Sequence, residues 1–151
     1  MIYYNTTKPH VAWGYHMIHN KIIAYSSLPF KDAEKNKKTV LVGGCFDVLH
    51  IGHVTFLEKA KAEGNTLIVA LESDAHIVQI KKKKPIHSQE MRAYILSHLD
   101  FVDYVIILPL FKSNEDYQKM VEIIRPSLIA LTKGDPYLSH KESQAKKIHA
   151  G

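Results

Sequence analysis

From Lys38 onward the chain alternates short apolar runs with amphipathic segments of helical length. That alternation restricts the fold more than any other feature, because strands joined through helices run parallel and need helices over both faces. Thr39–Val42 predicts a first strand. Val54, Leu57 and Ala60 recur at helical spacing, Glu58, Lys59, Lys61 and Glu63 fall mostly outward, and Gly64 is a stop, so a helix is expected from about Gly52 through Glu63. Thr66–Leu71 is apolar without interruption, as in a strand buried on both faces. A short helix is expected from Ser73 or Asp74 to about Ile80, and the lysine run with Pro85 makes a loop. Ser88 caps a helix with Met91, Ile95 and Leu99 on one side, and Tyr104–Leu108 is a third strand. Asn114 caps a helix with Tyr117, Met120, Val121 and Ile124 inward, and Pro126 follows its end. Ser127–Leu131 is a fourth strand, and Ser139-His140-Lys141-Glu142 reads as a capping box opening a last helix. The expected fold is α/β, a doubly wound parallel sheet whose ligands bind beyond the carboxyl ends of the strands.

The first 37 residues follow another rule. Val11, Trp13, Tyr15 and Met17 alternate with Ala12, Gly14, His16 and Ile18, and Lys21–Tyr25 is a second β-like run. This predicts an N-terminal extension with a β-hairpin arm at residues 1–37, without chemistry of its own, ahead of a domain at residues 38–151.

A length of 151 residues suits one domain with a sizeable core. No apolar run approaches the ~20 residues of a membrane helix, and the N-terminus lacks a signal-peptide pattern. One cysteine, Cys45, excludes an internal disulfide framework. A cytoplasmic protein is expected. The net charge of +5 is concentrated in Lys81–Lys84. No aromatic residues interleave with that run, as a platform for single-stranded nucleic acid requires, so phosphate handling is favoured over nucleic acid.

Chemistry concentrates in Gly44-Cys45-Phe46-Asp47-Val48-Leu49-His50-Ile51-Gly52-His53, where the first strand hands over to a helix. Such a turn offers free backbone N–H groups and the positive end of a helix dipole, both suited to phosphate. His50 and His53 could be surface histidines, and a metal site is disfavoured, with no intervening Glu and no third ligand. Their glycine-rich setting favours imidazoles that donate to phosphate oxygens as charge develops. Lys81–Lys84 is a solvated run from which at least one lysine could fold over a triphosphate. Arg92, in the first turn of its helix, opposes the dipole unless a phosphate or an acidic neighbour such as Glu90 offsets it. Asp135 could bind ribose hydroxyls or substrate, or simply form the turn with Pro136. Cys45 reads as a small residue at a close backbone approach. The sequence contains neither G-x-x-x-x-G-K-[ST] nor G-x-G-x-x-G, which disfavours kinases and GTPases of the first type and dinucleotide oxidoreductases.

Gly44-Cys45-Phe46-Asp47-x-x-His50-x-Gly52-His53 resembles the signature of the cytidylyltransferase-like nucleotidyltransferases. Within them the chain is most similar to the heptose 1-phosphate adenylyltransferase domain and to glycerol-3-phosphate cytidylyltransferase. The resemblance continues through Leu67–Leu71, Ser73-Asp74, Lys83-Lys84-Pro85, Gln89-Glu90-x-Arg92 and Val102-Asp103, over about residues 38–136. It implies a Rossmann-like fold, a nucleoside triphosphate with Mg²⁺, a phosphorylated small-molecule acceptor, and a homodimer. It also implies direct attack of an acceptor phosphate oxygen on the α-phosphorus, with pyrophosphate leaving. By matched position, the resemblance gives His50, His53, Lys83 and Arg92 catalytic or phosphate-binding roles. It gives Gly44, Cys45, Phe46, Asp47, Gly52, Lys81 and Asp135 to the nucleotide. Asp100, acidic where cytidylyltransferases carry a basic residue, and Gly43-Gly44-Cys45-Phe46 tilt the expectation toward ATP over CTP. The family pattern also continues into a further strand and a Ser/Thr-rich motif that this sequence does not show. A nucleotide-binding module without catalysis is therefore the alternative to an active enzyme.

Overall fold

The computed structural model describes residues 20–28 and 38–151. Five strands form one sheet: β1 (Ile22–Ala24), β2 (Thr39–Gly44), β3 (Thr66–Leu71), β4 (Tyr104–Ile107) and β5 (Leu128–Ile129). Among the described residues five α-helices connect or follow them: α1 (Ile51–Ala62), α2 (Asp74–Ile80), α3 (Gln89–Ser97), α4 (Asn114–Ile124) and α5 (Leu138–Lys147). Every strand pair is parallel, in the order β1-β4-β3-β2-β5. The chain therefore steps from β2 to β3 to β4 on one side and returns to place β5 on the other side of β2. That reversal makes the crevice at the carboxyl ends of β2 and β5 the expected ligand site.

The two faces carry separate cores. Val40, Val42, Leu67, Val69, Leu71 and Val105 pack under Leu57 and Ala60 of α1 and Ala93 and Leu96 of α3. Leu41, Ile68, Ala70 and Ile106 pack under Met120 and Val121 of α4. β3 sits between β2 and β4 and is buried at every position after Thr66, which is why its sequence is apolar without alternation. Gly64 ends α1 because nothing larger fits: a Cβ there would lie 2.5 Å from the Lys38 carbonyl oxygen.

Several local expectations change. α4 is capped by Ser113, not Asn114, since Ser113 and Asp116 form a reciprocal capping box. α5 starts at Leu138 after Tyr137, with no side-chain cap, so Ser139–Glu142 is not a capping box; Asp135 instead accepts the Tyr137 N–H at 2.8 Å. On α3, Met91 and Ile95 are exposed, and the buried face is Arg92, Ala93, Leu96 and Ser97. The helix is turned by one position because Arg92 reaches inward.

The Lys21–Tyr25 run contains β1, which pairs in parallel with β4, Ile22 opposite Val105 and Ala24 opposite Ile107. The other arm of the expected hairpin, Val11–Ile18, lies outside the described residues. At the opposite edge, Gly151 donates its N–H to Ser127 O at 3.0 Å and accepts from Ile129 N at 2.9 Å. Among the described residues no helix is long and apolar enough to cross a membrane.

Candidate functional site

The turn after β2 is built under strain. Phe46 (φ 47°) and Val48 (φ 57°) both adopt left-handed backbone, costly for any residue with a Cβ and most of all for a β-branched one. Two side chains hold the turn in place. Asp47 accepts the N–H groups of Ile86 (2.9 Å) and His87 (3.0 Å), tying the turn to the loop ahead of α3. Arg92 reaches in from α3 and donates to the carbonyl oxygens of Cys45, Glu72 (2.9 Å) and His87 (3.2 Å), and to Asp74 Oδ1 (2.7 Å). Burial works against the Asp47 carboxylate, but the two backbone donors, with Arg92 and His87, more than offset it and leave its pKa lowered.

His50 caps α1. Its Nδ1 accepts the Gly52 N–H at 3.1 Å, so in the neutral ring the proton is on Nε2, where it can be donated outward. A side chain on Gly52 would meet the His50 ring at 3.0 Å, so glycine there makes room for the cap. His53, one turn on, stacks on His50 with ring centroids 3.9 Å apart and lies edge-on to Phe46 at 5.3 Å. Burial first, then the neighbouring His50 and Lys81, holds the His53 pKa below its ordinary value. That shift favours the neutral imidazole, a hydrogen-bond donor without a standing charge.

Of these groups Phe46, Asp47, Val48 and His53 line a cleft of about 690 Å³ at the β2–β5 reversal, while His50, Gly52 and Arg92 lie outside its lining. Gly44, Cys45, Phe46, Asp47 and His53 form one wall, Lys81, Lys83 and Lys84 overhang it, and Thr132, Asp135 and Lys141 close the β5 side. The residues spread over the sequence from Gly44 to Asp135 thus meet at one sheet edge.

The family pattern of cytidylyltransferase-like proteins matches residues 41–150, which spans the cleft and nearly every element around it. The chain belongs to the cytidylyltransferase-like family. It is similar to the bifunctional protein HldE of Helicobacter pylori (strain ATCC 700392 / 26695), 40% identical over 136 residues, covering 87% of this chain and 28% of that protein. It is similar also to HldE of Wolinella succinogenes, 45% identical over 104 residues, 68% of this chain and 21% of that one. The chain thus spans a fifth to just over a quarter of the length of these relatives. A crystal structure of the lipopolysaccharide core biosynthesis protein from Thermoplasma volcanium has a TM-score of 0.61 at 28% identity, covering 76% of this chain and 90% of that one.

Against that family background two residues behave differently from expectation. Arg92 is 1% exposed, and its side chain makes four hydrogen bonds to protein oxygens, so in this arrangement it is a staple under the turn and not an open phosphate contact. Asp135 is occupied as well, Oδ1 by the Tyr137 N–H and Oδ2 by the Lys141 ammonium at 2.8 Å. Burial raises its pKa, and Lys141 and the Tyr137 N–H outweigh that, so it stays below the ordinary carboxylate range. Lys141 was not foreseen; the only signal was a lysine in the first turns of a helix that follows the Gly134-Asp135-Pro136 turn.

Under the cleft on the α4 face, the buried Glu72 carboxyl accepts the Tyr117 hydroxyl at 2.8 Å and lies 3.4 Å from His76 Nδ1. Burial pushes its pKa up, against the pull of His76, Tyr117, Lys141 and Lys81. Burial, then Glu72, likewise raises Tyr117 above an ordinary phenol.

Proposed function

We propose that this chain is a nucleotidyltransferase domain transferring AMP from ATP to a phosphorylated sugar of the heptose phosphate class. The observation that carries the proposal is His53, stacked on the exposed His50 at the start of α1 and lining a cleft overhung by Lys81, Lys83 and Lys84. An oxygen of the acceptor phosphate attacks the α-phosphorus of ATP. A new phosphorus–oxygen bond forms as the bond from the α-phosphorus to the β-bridging oxygen breaks, and pyrophosphate leaves with that electron pair. No protein nucleophile is required. His50 through Nε2–H and His53 donate to phosphate oxygens as charge moves onto them, and the lysines neutralise the departing pyrophosphate. Backbone groups of Gly44, Cys45 and Phe46 line the nucleotide. ATP is favoured over CTP by the HldE relatives and by the Gly43–Phe46 and Asp100 resemblance.

The reading includes Mg²⁺ carried by the triphosphate, where it supplies charge neutralisation. Among the described residues no group of three or more His, Cys, Asp and Glu could hold a metal. Phosphate oxygens and water would therefore supply most of its shell, a common arrangement for this ion. A cytoplasmic homodimer completes the proposal. The exposed Met91, Tyr94 and Ile95 on α3 support a second copy packing there.

The test is pyrophosphate release with ATP or CTP against heptose 1-phosphate or glycerol 3-phosphate. Release with ATP and the heptose phosphate is expected. ATP binding measured by calorimetry with no turnover on any pair would leave a nucleotide-binding module instead.

A further inference from the structure

We infer that Lys141 is a phosphate-binding residue held in reserve by Asp135, its ammonium passing from that carboxylate to a phosphate when a nucleoside polyphosphate enters the cleft. The inference rests on the nucleotidyltransferase reading above. Lys141 lines the same cleft as Cys45, His53 and Lys81. It comes from α5, after β5, whereas the lysine loop follows α2, the helix after β3, so in the strand order the two approach from opposite sides of β2. A phosphate chain lying across the end of β2 would be held from both.

The donors available decide between the cations of the site. The Arg92 guanidinium is committed to protein oxygens and its side chain is fully buried. The Lys141 ammonium has three N–H groups and, among the described residues, one hydrogen bond, to Asp135 Oδ2 at 2.8 Å. Its side chain is 23% exposed, enough to swing without unpacking a core. A partly exposed ion pair is a weak bond, and a charge-assisted contact to phosphate in a cleft is a stronger one, so the exchange runs toward the ligand. Asp135 remains anchored through Oδ1 to the Tyr137 N–H, and water can take the vacated oxygen.

Calorimetry with ATP, inorganic pyrophosphate and adenosine on the full chain tests this. Lys141→Met should weaken ATP and pyrophosphate by about tenfold, as for loss of one charge-assisted contact, and leave adenosine unchanged. Asp135→Asn, which releases the ammonium, should tighten pyrophosphate. Pyrophosphate binding unaltered in Lys141→Met, or adenosine weakened as much as pyrophosphate, would overturn the proposal. If Lys141→Met does not fold, the Asp135→Asn arm decides alone: unchanged or weaker pyrophosphate binding refutes it. A wild-type chain that binds none of the three ligands would remove the nucleotidyltransferase reading itself, a separate outcome from wild-type binding that Lys141→Met leaves intact.

Discussion

Arg92→Met separates a structural arginine from a ligand-binding one. Methionine keeps much of the aliphatic length and removes the guanidinium. Four hydrogen bonds are lost, and three of their acceptors are backbone carbonyls, of Cys45, Glu72 and His87. Asp74, with its side chain 42% exposed, can be rehydrated where it stands. The carbonyls of this buried pocket cannot all be, and removing one partner of a buried charged network costs about 3–5 kcal/mol. A typical domain has about 5–15 kcal/mol of stability in total. For a chain of this size, each kcal/mol moves Tm by about 2–4 °C, so a fall of roughly 10 °C is expected by thermal melt, with a matching loss in urea titration. Arg92→Lys should restore little, because a point ammonium cannot reach acceptors arranged for a planar fork. Pyrophosphate release would fall in both variants as the turn loosens. An Arg92→Met protein with unchanged Tm and a raised KM for the triphosphate, rescued by lysine, would refute this reasoning and return Arg92 to the phosphate.

His53→Ala should lower kcat by about 10²–10³-fold, the usual scale for losing one transition-state donor, with Tm held; an undiminished kcat would exclude His53 from the chemistry. His50→Asn keeps a capping acceptor for α1 while removing the imidazole, so it should hold stability and lose turnover, whereas His50→Ala should lose both, including about 1 kcal/mol for the cap. Asp47→Ala should cost about 1–3 kcal/mol through the unpaired Ile86 and His87 N–H groups and raise the KM for nucleotide, read by melts and steady-state kinetics. Glu72 has a folded pKa raised above its unfolded value, so it binds protons more tightly in the fold and its contribution to stability is lost as pH rises above the ordinary glutamate range. Glu72→Gln should therefore be more stable than wild type at neutral pH, with the gap closing in acid; a gap independent of pH would show the carboxyl charge to be irrelevant.

The elements legible in the sequence were those whose pattern arises locally. β3 is apolar at nearly every position because two faces bury it, and Ser73 and Ser88 cap α2 and α3 because short hydroxyls at those positions reach the third backbone N–H. The turn from Gly44 to His53 was legible because strand, glycine and histidine lie in one continuous stretch. Arg92 was not. Its acceptors come from three separate loops and from Asp74 at the start of α2, and in helical periodicity a buried arginine among Met91, Ile95 and Leu99 looks like a surface residue. Lys141 escaped because its partner depends on how the chain folds back after β5. β1 was legible as a strand-forming run, but its neighbour in the sheet lies far along the chain, and nothing in the period of a strand names the strand beside it.

The pairing of β1 with β4 has a consequence for how the chain is made. Lys21 donates to the Leu99 carbonyl at 3.3 Å across 78 residues of sequence, and the β1 ladder spans a similar distance. Contacts of this range slow folding, because the intervening loop must be closed before they yield anything. On a ribosome, however, β1 is made before the other described strands, and it is the one that covers the outer edge of β4. When β4 emerges, its partner is already present, so the row of unpaired amides that β4 would expose is covered as soon as it forms. An unpaired edge is a template for misassembly. A strand that is costly in folding time is thus well timed in synthesis.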